Sequence, residues 1–95
     1  MSVTAYRISY HLDVKAIDLP KIDRKNRERI RKAIEQRLLT RPEAYGQKLQ
    51  RTLKDYWKLR VGPYRIVFKM TENHITVLGI IHRKDVYQDI ERRLE

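Results

Sequence analysis

The sequence predicts a small α+β domain, a mostly antiparallel four-stranded sheet in the order β-α-α-β-β-β-α with its helices packed on one face. Two observations carry this prediction. Residues 5–11, 54–70 and 74–81 alternate or run apolar in the manner of strands, the middle one turning on a Gly-Pro pair. Residues 23–39 and 82–95 instead repeat their apolar side chains at the 3.6-residue period of a helix.

In chain order, Tyr6, Ile8 and Tyr10 alternate with Arg7, Ser9 and His11, as in a strand with one buried face. Asp13 is placed to cap a short helix carrying Val14, Ile17 and Leu19, which Pro20 should stop. Asp23 is a good N-cap for the longer helix. There Ile30, Ala33, Ile34, Arg37 and Leu38 fall on one stripe, and Arg24, Lys25, Arg27, Arg31 and Lys32 form a charged opposite side. Thr40, Arg41 and Pro42 end it, and residues 42–52 read as a loop, long enough to be either mobile or packed by Tyr45 and Leu49.

Residues 54–70 hold the most informative pattern. Gly62 supplies the positive φ of the first position of a type II′ turn, and the fixed φ of Pro63 suits the second. A two-residue turn pairs Val61 with Tyr64, Leu59 with Ile66, Trp57 with Phe68 and Asp55 with Met70, so the large apolar side chains share one face. The other face carries Lys54, Tyr56, Lys58 and Arg60 from one strand and Arg65, Val67 and Lys69 from the next. Arg60 then stands opposite Arg65, and Tyr56 opposite Lys69. Like charges directly opposite cost a few tenths to about 1 kcal/mol per pair, so these cations either splay into water or serve an anion.

After a turn at residues 71–73, residues 74–81 are apolar enough for a central strand buried on both sides. A two-residue loop at Glu72 and Asn73 would place His82 on the basic face, and a three-residue loop would place Arg83 there. Val86, Ile90 and Leu94 mark a terminal helix, and a start near Arg83 would set Tyr87 one turn on, on the same side.

Ninety-five residues suit one domain with a modest core, spanning residues 1–95. A net charge of +10, from 22 Lys and Arg against 12 Asp and Glu, points to a polyanionic partner. The absence of cysteine excludes disulfides, thiolate metal sites and cysteine nucleophiles. His11, His74 and His82 lack ligand spacing, so no metal or other cofactor is expected. No stretch is apolar for about 18 residues and residues 1–10 have no signal core, which together suggest a cytoplasmic protein without a membrane partner.

Two motifs, YWKLRVGPYRIVF at Tyr56–Phe68 and HRKDVY at His82–Tyr87, make the chain resemble toxins of the RelE family, mRNA interferases of toxin–antitoxin systems in the RelE/ParE superfamily. The first resembles the family's basic strand, G-x-Y-R turn and following apolar strand; the second resembles its H-R-x-x-x-Y signature. The resemblance implies a metal-independent, ribosome-dependent endoribonuclease. It would cleave mRNA in the ribosomal A site through attack of a ribose 2′-hydroxyl on the next phosphate, leaving a 2′,3′-cyclic phosphate. It also implies two partners: the ribosome with its mRNA, and a cognate antitoxin that silences the toxin.

On the matching positions, Arg65 would clamp the phosphate, Arg83 would stabilise or protonate the leaving oxygen and Tyr87 would stack on or orient the nucleotide. Lys58 would be the base, activated by the like charges of Lys54, Arg60 and Arg65. Lys54, Tyr56, Arg60 and Lys69 would contact RNA. Tyr56 stands where well-known members carry a first lysine, so Lys54, Lys58 and His82 all remain candidates for the base. Because arginine donates protons poorly at neutral pH, His82 or Tyr87 would share the acid role. Two other readings fit the fold: a ParE-like inhibitor of DNA gyrase that acts by binding, and a non-catalytic RNA- or ribosome-binding module. Arg65, Arg83 and Tyr87 together argue against the first, and Tyr56 supports the second.

Overall fold

A computed structural model describes residues 6–50, 53 and 55–94. Lys54, expected among the RNA contacts, lies outside them. The sheet has five strands rather than four, in the spatial order β1 (Arg7–Tyr10), β5 (His74–His82), β4 (Tyr64–Met70), β3 (Trp57–Val61) and β2 (Gln47–Lys48). The expected α+β class holds. The added strand lies in the stretch taken for a loop, where one helical turn, α2 (Pro42–Tyr45), leads into two residues that pair with β3. So brief a pairing has no periodicity of its own to read.

The hairpin forms as its turn chemistry requires. Trp57 pairs with Phe68, Leu59 with Ile66, Arg60 with Arg65 and Val61 with Tyr64, and Gly62 adopts φ +57°. Leu59, Ile66 and Phe68 are fully or almost fully buried, and Trp57 stacks on Phe68 with ring centroids 6.4 Å apart. Each such side chain contributes about 2 kcal/mol by leaving water. β5 runs between β4 and β1, antiparallel to the first and parallel to the second, and is buried on both faces as its composition demands. β1 is an edge strand, so Tyr10 stays 48% exposed although its alternation suggested a buried face.

Helices cover both faces of the sheet, in contrast to the one-sided packing expected. On one face, residues 14–22 and α1 (Arg24–Ala33), with the wider turn at Ile34–Leu38 that extends it, bury Val14, Ile22, Ile30, Ile34 and Leu38 against Leu59, Ile66, Phe68 and Val77. Asp23 caps α1, accepting the Asn26 N–H at 3.1 Å. Asp13 does not cap the preceding segment. It is itself helical, and the His11 ring accepts its N–H at 3.1 Å. Pro20 sits within a 3-10 turn at Leu19–Lys21 rather than ending a helix before it. On the other face, α3 (Val86–Arg93) sets Val86 and Ile90 against Val67, Leu78, Ile81, Leu49 and Leu53. The basic face is therefore half covered, with Val67 wholly buried beneath this second cluster.

One long-range contact ties these layers together. Asp18, 6% exposed, accepts two hydrogen bonds from the Arg93 guanidinium, at 2.8 and 2.9 Å, and a third from the Ile80 N–H at 2.9 Å. Arg93 also donates to the Leu78 carbonyl at 2.8 Å. The Asp18 carboxylate raises the pKa of Arg93 through hydrogen bonding and charge, against the opposing effect of burial.

Candidate functional site

The open half of the basic face begins at the hairpin turn. Arg60 and Arg65 are cross-strand neighbours, and Lys58 shares their face, paired with Val67 on one side and Gln47 on the other. Together with Tyr45 they line a cleft of about 170 Å³. Arg65 is anchored from behind: its Nη1 donates to the carbonyls of Gly62 at 3.0 Å and Tyr64 at 2.9 Å. That anchoring spends one terminal nitrogen and leaves the rest of the guanidinium fork to an anion. Burial, then the charges of Arg60 and Arg83, push its pKa below the usual arginine value. It remains a cation at neutral pH, but one that an arriving phosphate would stabilise.

The placement of His82 and Arg83 is decided by a bulge. The β4–β5 turn is the two-residue one: Thr71 N–H donates to the His74 carbonyl, and Met70, Lys69 and Phe68 pair with Ile75, Thr76 and Val77. Continued without a break, that register would bring His82 to the face of Arg65. The register shifts between Phe68 and Val67, however, and Val67 pairs with Gly79, leaving Leu78 as the extra residue. Beyond it Arg65 pairs with Ile81 and Tyr64 with His82. His82 consequently shares the face of Tyr64, the two rings meeting edge-on at 5.9 Å, and its Nδ1 accepts the Lys84 N–H. The Arg83 N–H donates to the Pro63 carbonyl at 2.8 Å, which brings the exposed Arg83 beside the hairpin turn and its charge onto Arg65.

The remaining expected residues are more scattered. α3 begins at Val86 rather than near Arg83, so Arg83 and Tyr87 are not on one regular helix. Tyr87 packs against the second cluster, and its hydroxyl accepts the Gln50 N–H at 3.1 Å. Tyr56 packs against the same cluster, with the Lys69 ammonium 5.8 Å from its ring centroid. The structure thus brings Lys58, Arg60, Arg65 and Arg83 together and turns His82 away. It adds Gln47, which the sequence did not single out, and Tyr45, which the sequence offered as loop packing but which is 49% exposed and lines the cleft. Their only local signal was an aromatic beside a glycine in an apparent loop. A larger concavity, about 550 Å³, lies elsewhere, lined by Tyr10, Val14, Leu19, Ile30, Ile34 and Ile80 together with Lys15, Arg24, Arg27 and Arg31. Among the described residues no cluster of His, Asp and Glu could hold a metal ion, and no helix is long and apolar enough to cross a membrane.

Comparison with known proteins gives a consistent result. Residues 10–87 match the sequence model of a family described as the ParE toxin of the type II toxin–antitoxin system parDE. No curated protein matches the chain. Among solved structures it is similar to the toxin–antitoxin complex RelBE2 from Mycobacterium tuberculosis, with a TM-score of 0.75 and 21% identity over 83% of this chain and 99% of that one. It is also similar to the RelB–RelE complex from Methanococcus jannaschii, at 0.61 and 22% over 84% and 95%. YafQ from E. coli matches at 0.60 and 17% over 86% and 98%. At these identities the likeness establishes the fold.

Proposed function

The chain belongs to the ParE toxin family of type II toxin–antitoxin systems, within the RelE/ParE superfamily, and from the chemistry of its basic cleft we propose that it acts as a metal-independent endoribonuclease that cleaves mRNA in the ribosomal A site. The observation that carries this reading is the cleft of Lys58, Arg60 and Arg65, with Arg65 anchored on two carbonyls and Arg83 held beside it. Transphosphorylation needs little more than this: a group to take the 2′-hydroxyl proton, fixed cations for the charge growing on the phosphoryl oxygens, and a donor for the departing 5′-oxygen.

In this reading Arg65 and Arg60 hold the scissile phosphate and Lys58 takes the 2′-hydroxyl proton. As the 2′-oxygen bonds to phosphorus and the bond to the 5′-oxygen breaks, Arg83 stabilises the charge on that oxygen, which takes its proton from water. Tyr45 offers an exposed ring at the cleft for a base to stack on. Tyr87 acts one step back, holding the chain at Gln50 that follows β2 and so the strand that carries Gln47. The partners are the translating ribosome with its mRNA and a cognate antitoxin, whose acidic groups would neutralise the same cations.

The test is translation on programmed ribosomes with mapping of mRNA 5′ ends. A-site cuts by the wild-type protein that disappear with Arg65→Ala support the proposal; no cuts at all, or undiminished cuts by that variant, reject it. A second reading has specific support. The family model is that of ParE, and His82 faces away from the cations, as befits a toxin that binds DNA gyrase without cleaving anything. Inhibition of gyrase supercoiling by the purified protein, with mRNA left intact, would select it.

A further inference from the structure

We propose that a second cleft, between α1 with its extension and the hairpin turn, is a phosphodiester-binding site that continues the RNA path beyond the scissile phosphate. The inference rests on the ribonuclease reading and extends it to how the substrate is held. Arg29, Lys32, Ala33, Gln36 and Arg37 fall at i, i+3, i+4, i+7 and i+8, on one side of the helix. That side faces Arg60, Val61 and Gly62 across a cleft of about 250 Å³.

The packing is close. The Arg29 guanidinium lies over Gly62, where a Cβ would come within 3.0 Å of Nη1. Arg37, which the sequence pattern assigned to the packed stripe, is exposed and lines this cleft instead. Four cations therefore converge, and among the described residues none of them has an ion-pair partner. On the adjoining side of the same helix, by contrast, Arg31 is bound by both Glu28, at 2.7 Å, and Glu35, at 3.1 Å. Arg31 is thereby held on the helix surface by its own carboxylates, while the cations lining the cleft are left to an external anion.

Two features say which anion. Arg60 lines both this cleft and the one holding Lys58 and Arg65, so a polyanion running from one to the other would meet the same guanidinium in each. The walls offer only Ala33, Val61 and Gly62 as apolar surface, too little to seat an amphipathic helix of a protein, for which the 550 Å³ apolar concavity is the better groove. A phosphate chain needs only the cations.

The experiment compares two triple variants with equal loss of charge: Arg29→Gln, Lys32→Gln, Arg37→Gln in the cleft, and Arg24→Gln, Lys25→Gln, Arg27→Gln elsewhere on the helix. All six residues are exposed, and thermal melts verify that both variants fold. Binding to programmed 70S ribosomes is measured against salt, and single-turnover cleavage against toxin concentration. The cleft variant should need about tenfold more toxin for half-maximal cleavage and lose about 2 from the log–log salt slope, three contacts at about 0.7 each. Its rate at saturation should not change, and the control variant should show less than half of either effect.

Using mRNA that ends at the A-site codon and mRNA that extends past it identifies the source. An effect only on the longer RNA places the bound phosphates in the message, and an effect on both places them in ribosomal RNA. Equal behaviour of the two variants, an unchanged slope, or a loss confined to antitoxin binding overturns the inference while leaving A-site cleavage intact. Failure of the wild-type protein to cut anything would instead reject the ribonuclease reading, and the ribosome-binding slopes would still decide the cleft.

Discussion

Asp18 and Arg93 lie 75 positions apart and form a two-point ion pair whose side chains are 5% and 7% exposed, directly over the bulge in β5. Asp18 takes the Ile80 N–H and Arg93 the Leu78 carbonyl, so the pair satisfies backbone groups on both sides of the irregularity. Gly79 lies under the pair: a Cβ there would meet Arg93 Nη1 at 3.0 Å and the Ile81 Cδ1 at 2.7 Å. A bulge costs ladder regularity, and here the cost is offset by contacts drawn from both ends of the chain.

Arg93→Met leaves the Asp18 charge buried without its guanidinium and the Leu78 carbonyl without its donor, and Asp18→Asn leaves the buried Arg93 guanidinium with only Asp13, at 3.4 Å, as a carboxylate partner. Arg93→Met or Asp18→Asn should each lower stability by about 3 kcal/mol, and the double variant by less than the sum. Urea denaturation of the four proteins measures the coupling. Additive losses would show that the pair does not act as a unit.

The bulge also decides which residue reaches the cations. Since Ile81 rather than Ile80 pairs with Arg65, which turns His82 to the opposite face, Arg83→Ala should lower A-site cleavage by about a hundredfold or more, whereas His82→Gln should lower it less than about fivefold. Single-turnover cleavage of ribosome-bound mRNA provides the comparison. A reversed order would mean that the bulge is absent in the working complex.

Arg65→Lys preserves the charge but cannot both donate to the Gly62 and Tyr64 carbonyls and present a fork to phosphate. Its cleavage rate should fall about as far as that of Arg65→Ala, within roughly tenfold. A lysine variant close to wild type in rate would show that charge alone is needed.

At the hairpin turn, Gly62→Ala combines a left-handed backbone with a clash against the Arg29 guanidinium. A loss of about 1–2 kcal/mol is expected, read as a fall in Tm. If the additional substitution Arg29→Ala recovers part of it, the contact is the cause of that part; if it recovers nothing, the backbone term accounts for the whole.

By itself the sequence determined the hairpin. Alternation, a Gly-Pro turn and cation placement are local, and they fix the pairing of Trp57 with Phe68 and of Arg60 with Arg65 because a slip of one residue would turn the whole apolar set to water. It also determined the capped start of α1 and the two-sided burial of β5, since each follows from neighbouring residues. Only the tertiary structure decided the facing of the C-terminal segment, the covering of Val67 and the entry of Tyr45 and Gln47 into the site. The two-residue turn at Glu72 and Asn73 pointed His82 toward the cations, and one extra residue, Leu78, reversed that outcome. Gly79 beside Leu78 is a local mark of an irregularity but does not decide the register, because what holds the bulge is a carboxylate 60 residues earlier in the chain and a guanidinium 15 residues later, brought together only when the sheet is complete.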